Sequence, residues 1–202
     1  MRFTLRSSVR SPFGRKVRIA ASVVGLTDDI SIEETNTMSA DDPIRQQNPL
    51  GKIPALVLED GRTLYDSRVI IEYFDAITGG GRLIPTDPSA RFPALTHAAL
   101  ADGMLDAGIL IVYEGRFRAD QTPYQPWLDY QRGKIERGLS AFEAGPPAVE
   151  VVTVASIGLA CALGYLDFRQ QVDWRPICPG LVDWLDAFTG AVPAFEQTMP
   201  PA

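Results

Sequence analysis

The amino-acid sequence predicts an α/β N-terminal domain followed by an all-α C-terminal domain. Strand-like and helix-like hydrophobic patterns alternate over residues 1–78, whereas the later segments have the helical period alone. Between them, a Gly-Gly-Gly run and two prolines within 79–88 form a break in which neither element persists. We therefore expect domains at residues 1–78 and 89–202, joined by a linker at 79–88.

The N-terminal domain has the predicted element order β-α-β-α-β-β-α. Alternating apolar and polar residues indicate strands at 2–6 and 30–32, and a continuous apolar run at 55–58 indicates a central strand covered on both faces. Residues 62–65 form the hairpin partner of that strand, and 42–47 fit a short helix. Helical spacing predicts the first and last helices, which contain Phe13, Val17, Ala20, Ala21 and Val24, and Val69, Ile70, Tyr73, Phe74 and Ile77.

The C-terminal domain is predicted to contain four helices. Apolar spacing places the first two at 89–119 and 123–142, and two more follow. The longest apolar stretch, Val151 to Leu166, is interrupted by small and polar residues and is shorter than a membrane span. It is therefore predicted to form a buried core helix.

Composition and charge exclude several classes of partner. The formal net charge is −6 and Lys and Arg are scattered along the chain, so nucleic acid is not expected as a partner. The N-terminus lacks the apolar segment of a signal peptide, and only two cysteines are present. We expect a cytoplasmic protein without membrane association, in which a disulfide between Cys161 and Cys178 is disfavoured.

The single histidine, His97, excludes several catalytic arrangements. It cannot pair with another histidine at a metal, and no cysteine or carboxylate cluster with ligand spacing surrounds it. No metal site is expected. A nucleophile triad would depend on His97 alone, and a partly buried histidine in a helix is the favoured interpretation.

Ser11 and Pro12 lie at the predicted start of the first helix. Pro12 suits the first helical position, which makes Ser11 the N-cap. Capping alone is one interpretation. The other is that a thiolate binds there, because a helix N-terminus has unpaired N–H groups and the positive end of the helix dipole.

Two further segments are suited to an extended ligand. A cis peptide at Ile53-Pro54 would turn the backbone of Ile53 outward to pair with a peptide, whereas a trans proline would merely begin the strand. Asp66-Ser67 opens a helix without a Glu or Gln three residues later, so no capping box forms. Asp66 is therefore expected to be free to bind an ammonium group. Ser67, together with the N–H groups at the start of the helix, can bind a carboxylate.

Together these segments resemble the glutathione S-transferase superfamily over essentially the whole chain. The similar blocks, in the family's order and spacing, are Ser11-Pro12-Phe13-Gly14-Arg15-Lys16-Val17-Arg18, Asn48-Pro49-Leu50-Gly51-Lys52-Ile53-Pro54, and Asp66-Ser67 with Ile71-Glu72-Tyr73. The resemblance implies a thioredoxin-like N-terminal domain, an α-helical glutathione transferase C-terminal domain, a homodimer and a cis Pro54. It also implies glutathione as co-substrate and a role in detoxification.

The resemblance also implies roles for single residues. Ser11 occupies the position of the activating hydroxyl, Ile53 contacts the cysteinyl backbone of glutathione, and Asp66 with Ser67 holds the γ-glutamyl end. Lys52 either assists at the glycyl carboxylate or is a solvated surface lysine. The other glutathione-site residues are Phe13 and Pro54, and the small hydrophobic electrophile is expected at Tyr113, Arg116 and Phe117, where packing is the alternative.

The kind of chemistry depends on the residue before Pro12. Ser11-Pro12-Phe13 is similar to the serine-type site of the plant tau class, and residues 1–78 contain no cysteine. A mixed disulfide cannot form at this site, so conjugation to an electrophile, or reduction of a peroxide, is favoured over disulfide exchange. The alternatives are a glutathione-dependent isomerase or dehalogenase, and a non-catalytic binding or stress protein with the same fold.

One position departs from the family pattern. The superfamily commonly has Ser/Thr-x-x-Asp at the start of the buried core helix, but this chain has Thr153-Val154-Ala155-Ser156. Ser156 can accept a hydrogen bond but brings no charge to the helix N-terminus, so a weaker cap is predicted.

Overall fold

The computed structural model describes residues 2–201, beginning with a four-stranded sheet and its helices. The strands are β1 (Phe3–Ser7), β2 (Ile30–Glu34), β3 (Ala55–Val57) and β4 (Thr63–Leu64), in the sheet order β2-β1-β3-β4. The helices of this part are α1 (Pro12–Val23), α2 (Ile44–Gln47) and α3 (Ser67–Ile77). This confirms the predicted order of elements.

The sheet is mixed because its two hairpin strands oppose the first pair. β1 and β2 are parallel and are joined through α1, whereas β3 runs antiparallel to both β1 and β4. Helices α1 and α3 pack together. The apolar interior of this part includes Leu5, Ile19, Leu56, Ile71 and Phe74, all at 0% exposure.

The remaining helices form an all-α part. They are α4 (Pro88–Phe117), α5 (Gln125–Ala144), α6 (Val154–Arg169), α7 (Pro179–Ala191) and α8 (Ala194–Gln197). By length and composition α4 is apolar enough to cross a membrane, but it packs along both α5 and α6 as a core helix of a folded domain does. Helix α6 also packs on α1 and so joins the two parts. The prediction that Val151 to Leu166 contains a buried core helix is confirmed, since Ile157, Leu159 and Leu163 are fully buried.

The prediction of two helices after α5 was wrong, because three follow it within residues 2–201. The missed helix, α8, has only four residues and begins after Pro193. A single turn is too short to show a 3.6-residue period, so the hydrophobic pattern could not reveal it.

A buried carboxylate shapes the segment that connects the two parts. Asp75 near the end of α3 accepts hydrogen bonds from the backbone N–H groups of Gly81 (2.9 Å), Arg82 (3.0 Å) and Leu83 (2.7 Å). Gly79, Gly80 and Gly81 have φ angles of 109°, 73° and 83°, which only glycine adopts readily. The Gly-Gly-Gly run therefore allows the chain to turn back around Asp75.

Ser156 caps α6 without a charge, as predicted. Its Oγ accepts from the Thr153 N–H at 3.0 Å and donates to the Thr153 carbonyl at 3.1 Å. Cys161 and Cys178 are both buried and free in this structure. His97 is half-buried in α4 with its ring 5.6 Å from that of Phe142, again as predicted.

Candidate functional site

Three segments meet at one edge of the sheet. In the β1–β3 register Arg6 lies opposite Ala55, so the loop after β1 leaves the sheet next to Pro54. In the β3–β4 register Leu56 lies opposite Leu64, so Asp66 follows β4 at the same edge. The antiparallel pairing of β3 with both neighbours thus brings the segments of Ser11, Ile53-Pro54 and Asp66-Ser67 together.

Ser11 is the N-cap of α1, and its side chain is half-buried. Its Oγ accepts a hydrogen bond from the Gly14 N–H at 3.1 Å, and Pro12 begins the helix. Accepting this bond does not use the hydroxyl proton, which can still be donated to a ligand. The capping role of Ser11 is therefore established, and activation of a thiol remains a prediction.

The Ile53-Pro54 peptide is cis, as the resemblance implied. The turn before this peptide is stabilised by hydrogen bonds to Asn48, a buried residue that was not predicted to belong to the site. Asn48 Nδ2 donates to the Lys52 carbonyl at 2.8 Å, and its Oδ1 accepts from the Leu50 N–H at 3.0 Å. The sequence signal was an amide residue directly before Pro49, a common turn arrangement.

The prediction that Asp66 is free was wrong. Its Oδ1 accepts from the Arg68 N–H at 3.0 Å, and its Oδ2 lies 2.8 Å from the Arg68 guanidinium. Aspartate caps a helix without a capping box, and the arginine two residues later reaches back to it. This arginine lowers the pKa of Asp66, so the carboxylate is charged at neutral pH. Both side chains are more than half exposed, so a ligand ammonium can compete at little cost.

The remaining predicted glutathione-site residues lie around this edge. Ser67 is the first residue of α3 and is 2% exposed. Pro54 is buried, Phe13 is half-buried on α1, and Lys52 is exposed. The exposure of Lys52 is compatible both with binding the glycyl carboxylate of glutathione and with a solvated surface lysine.

Helix α4 faces this site with two carboxylates that were not predicted. Asp102 pairs with Lys16 of α1 at 2.5 Å, and Asp106 lies one turn further along the helix. Burial raises the pKa of Asp106, and the nearby Lys52 and Arg68 partly offset this rise. Two aspartates spaced i, i+4 in an otherwise apolar helix were the available signal. The site therefore lies where the two parts of the chain meet.

The predicted electrophile residues lie in the last turns of α4. Tyr113 and Phe117 form an edge-to-face pair with ring centroids 5.1 Å apart, and Arg116 lies 5.4 Å from the Tyr113 ring. Their exposed fractions, 39% for Tyr113 and 58% for Phe117, leave them accessible.

Tyr165 of α6 lies in the same crevice as Ser11. Tyr165 is 6% exposed, and burial raises the pKa of its phenol although Arg169 and Arg116 lower it. A narrow crevice beside Ser11 is lined by Arg15, Cys161, Tyr165, Phe168 and Pro200. Sequence reasoning missed Tyr165 because an aromatic residue in an apolar run resembles a core residue.

A second cavity lies away from this site. A cavity of about 520 Å³ at the far end of α1 is lined by Ser22, Val23 and Gln197, among others, and contains none of the predicted site residues. Among residues 2–201 no group of three or more His, Cys, Asp or Glu side chains is placed to hold a metal ion.

Two family models match this chain. "Glutathione S-transferase, N-terminal domain" matches residues 10–77, and "Glutathione S-transferase, C-terminal domain" matches residues 125–187. The chain is 36% identical over 204 residues to the uncharacterized GST-like protein YibF of Escherichia coli K12, with 98% of each chain covered.

Solved structures of a relative have the same fold. A glutathione transferase family member from Pseudomonas fluorescens Pf-5 with bound glutathione has a TM-score of 0.91 and 42% identity, covering 99% of this chain and 100% of the other. Its complex with S-(propanoic acid)-glutathione has a TM-score of 0.87 and 42% identity, covering 98% and 100%. The fold is thus a thioredoxin-like domain followed by the helical domain of glutathione transferases. The chain belongs to the glutathione S-transferase superfamily.

Proposed function

We propose that this protein is a glutathione transferase that activates the thiol of glutathione for attack on a hydrophobic electrophile. The observation that carries the proposal is the convergence of the Ser11, Ile53-Pro54 and Asp66-Ser67 segments at one sheet edge. A γ-glutamyl end has an ammonium and a carboxylate on one carbon, which matches an acidic residue next to a helix N-terminus. Glutathione bound by the Pseudomonas relative supports the same ligand here.

In this proposal each segment binds one part of glutathione. The Asp66 carboxylate accepts a hydrogen bond from the γ-glutamyl ammonium, which replaces Arg68 as its partner. Ser67 and the first N–H groups of α3 bind the γ-glutamyl carboxylate. The backbone of Ile53 pairs with the cysteinyl residue, while Phe13 and Pro54 line the site. Lys52 binds the glycyl carboxylate.

The proposed chemistry begins with loss of the thiol proton to solvent. The Ser11 hydroxyl donates to the thiolate, and the N-terminus of α1 adds its dipole. A free thiol has a pKa of about 8.5, and each unit of lowering needs about 1.4 kcal/mol of preferential stabilisation of the anion. The thiolate then forms a carbon–sulfur bond, and the leaving group departs with its electron pair. If the electrophile is instead a conjugated double bond, no group leaves. The carbon next to the one attacked then takes up a proton.

The proposal extends to the organisation of the protein. We infer a cytoplasmic homodimer of two-domain subunits, with the domains at residues 1–78 and 89–202. Light scattering checks the dimer, since a mass equal to one chain at micromolar concentration contradicts it. Limited proteolysis checks the boundary, with a cut that separates the domains expected at the exposed residues 79–82.

The deciding experiment measures glutathione affinity by calorimetry and the ultraviolet absorbance of bound thiolate. Parent protein is compared with Ser11→Ala, and Ser22→Ala on the exposed face at the other end of α1 serves as control. We expect Ser11→Ala to bind glutathione but to show a smaller thiolate signal at neutral pH. An equal signal in both proteins contradicts the role of Ser11, and absence of glutathione binding in the parent contradicts the function.

A further inference from the structure

Two arginines lie on the electrophile side of the site, among aromatic rings. The Arg169 guanidinium of α6 lies 4.5 Å from the Phe168 ring centroid and 5.5 Å from that of Tyr165. Its Nε is buried and has no hydrogen-bond partner within residues 2–201. Arg116, at the end of α4, lies 5.4 Å from the Tyr113 ring.

Neither Arg116 nor Arg169 forms an ion pair with a carboxylate of residues 2–201. Arg175, which follows α6 closely, instead pairs with Asp167 at 2.8 Å. A guanidinium held between rings is preorganised to bind a carboxylate through two parallel hydrogen bonds. The guanidinium has further N–H donors on its two terminal nitrogens, and a carboxylate would bind to these.

Tyr165 links Arg169 to the crevice beside Ser11. The Arg169 guanidinium lies 5.5 Å from the Tyr165 ring centroid, and Tyr165 also lines that crevice. Burial raises the pKa of its phenol, so the hydroxyl remains a donor at neutral pH. The positive charges of Arg169 and Arg116 both lower this pKa and so partly offset the rise. Aromatic rings and two arginines therefore border this side of the site.

We propose that the second substrate is an aromatic electrophile that carries a carboxylate, which binds to Arg169 and Arg116 while its ring packs on Phe168 and Tyr165. This inference rests on the proposed function, because it assumes that glutathione occupies the neighbouring site. It assigns Arg169 and Tyr165 to substrate selection. The alternative, in which Arg169 only packs on its two rings, makes a different prediction for charged and neutral ligands.

The test compares two glutathione conjugates of nearly the same shape. S-Benzylglutathione and S-(4-carboxybenzyl)glutathione differ only in the carboxylate, and calorimetry gives the Kd of each for the intact protein. We expect the carboxylate to tighten binding about tenfold, the effect of one charge-assisted hydrogen-bonded pair. In Arg169→Gln the two conjugates should bind equally well. The control Arg137→Gln removes an exposed arginine from α5 and should keep the tenfold preference.

A second variant, Tyr165→Phe, tests the inference independently in case Arg169→Gln does not fold. Tyr165→Phe keeps the ring and removes only the hydroxyl, and we expect it to reduce the carboxylate preference about threefold. Equal binding of both conjugates to the parent overturns the inference, as does a preference that survives in Arg169→Gln. In either case binding of S-benzylglutathione leaves the proposed function standing. If glutathione itself fails to bind the parent, the proposed function fails, and the inference with it.

Discussion

Lys16 of α1 and Asp102 of α4 form a buried ion pair that joins the two domains beside the candidate site. The Nζ–Oδ1 distance is 2.5 Å, and the side chains are 0% and 8% exposed. A charge at this depth is tolerated only while its partner is present, because removal from water costs several kcal/mol per ion. The stabilities of the two domains are therefore coupled through this pair.

We expect Lys16→Met and Asp102→Asn each to lower the free energy of unfolding by about 3 to 5 kcal/mol, since each leaves an uncompensated buried charge. The double variant Lys16→Met/Asp102→Asn should lose less than the sum of the single losses. Urea unfolding of the four proteins measures the coupling.

The control for this cycle is an exposed ion pair. Arg62 and Asp60 lie 2.7 Å apart with side chains 76% and 50% exposed, so Arg62→Gln should change stability by less than about 1 kcal/mol. Single variants of Lys16 and Asp102 that behave like this control would show that the buried pair does not hold the domains together.

Gly14 is required by the close approach of α1 to β1. A Cβ at this position would lie 2.0 Å from Ser7 Oγ and 3.3 Å from Ser7 Cβ. Gly14→Ala should therefore destabilise the protein by about 1 to 3 kcal/mol, as overpacking does, although alanine favours helix. Gly103 in α4 has no atom within 4 Å of an added Cβ, so Gly103→Ala should gain about 1 kcal/mol. Thermal unfolding measures both, and a gain in both variants contradicts the steric argument.

Ser11 has two roles that a different substitution can separate. Aspartate caps a helix as well as serine does, but it cannot donate a hydrogen bond and brings a negative charge next to the thiolate. Ser11→Asp should therefore keep the parent stability, whereas Ser11→Ala loses about 1 kcal/mol. The pKa of bound glutathione should nevertheless rise more in Ser11→Asp. A spectroscopic titration checks this, and a parent-like thiol pKa in Ser11→Asp would leave Ser11 with capping alone.

Features determined by neighbouring residues could be predicted from the sequence, and contacts between distant residues could not. Ser11 followed by Pro12 is a local cap signal, and the strand and helix patterns of the first domain follow from local hydrophobic periodicity. The Lys16–Asp102 pair joins positions 86 residues apart, and no local pattern predicts which charged residue meets which. The Asp66–Arg68 pair is local but depends on a side-chain orientation that residue spacing does not specify. Tyr165 was missed because hydrophobic pattern does not distinguish a core ring from one lining a crevice.

Cys161 should make stability depend on alkaline pH. The thiol is fully buried in α6, and burial raises its pKa to about 11 from the ordinary 9.0. Because the folded pKa is raised, this stabilising contribution is complete below pH 9 and is lost as pH increases towards 11. Each pH unit in this window costs about 1.4 kcal/mol. Relative to Cys161→Ala, the parent should therefore lose roughly 2 kcal/mol of unfolding free energy between about pH 7.5 and 10.5. Urea unfolding of both proteins at the two pH values measures this difference. Any packing loss in the variant does not depend on pH, so a constant difference between the two proteins would mean that the buried thiol does not titrate as described.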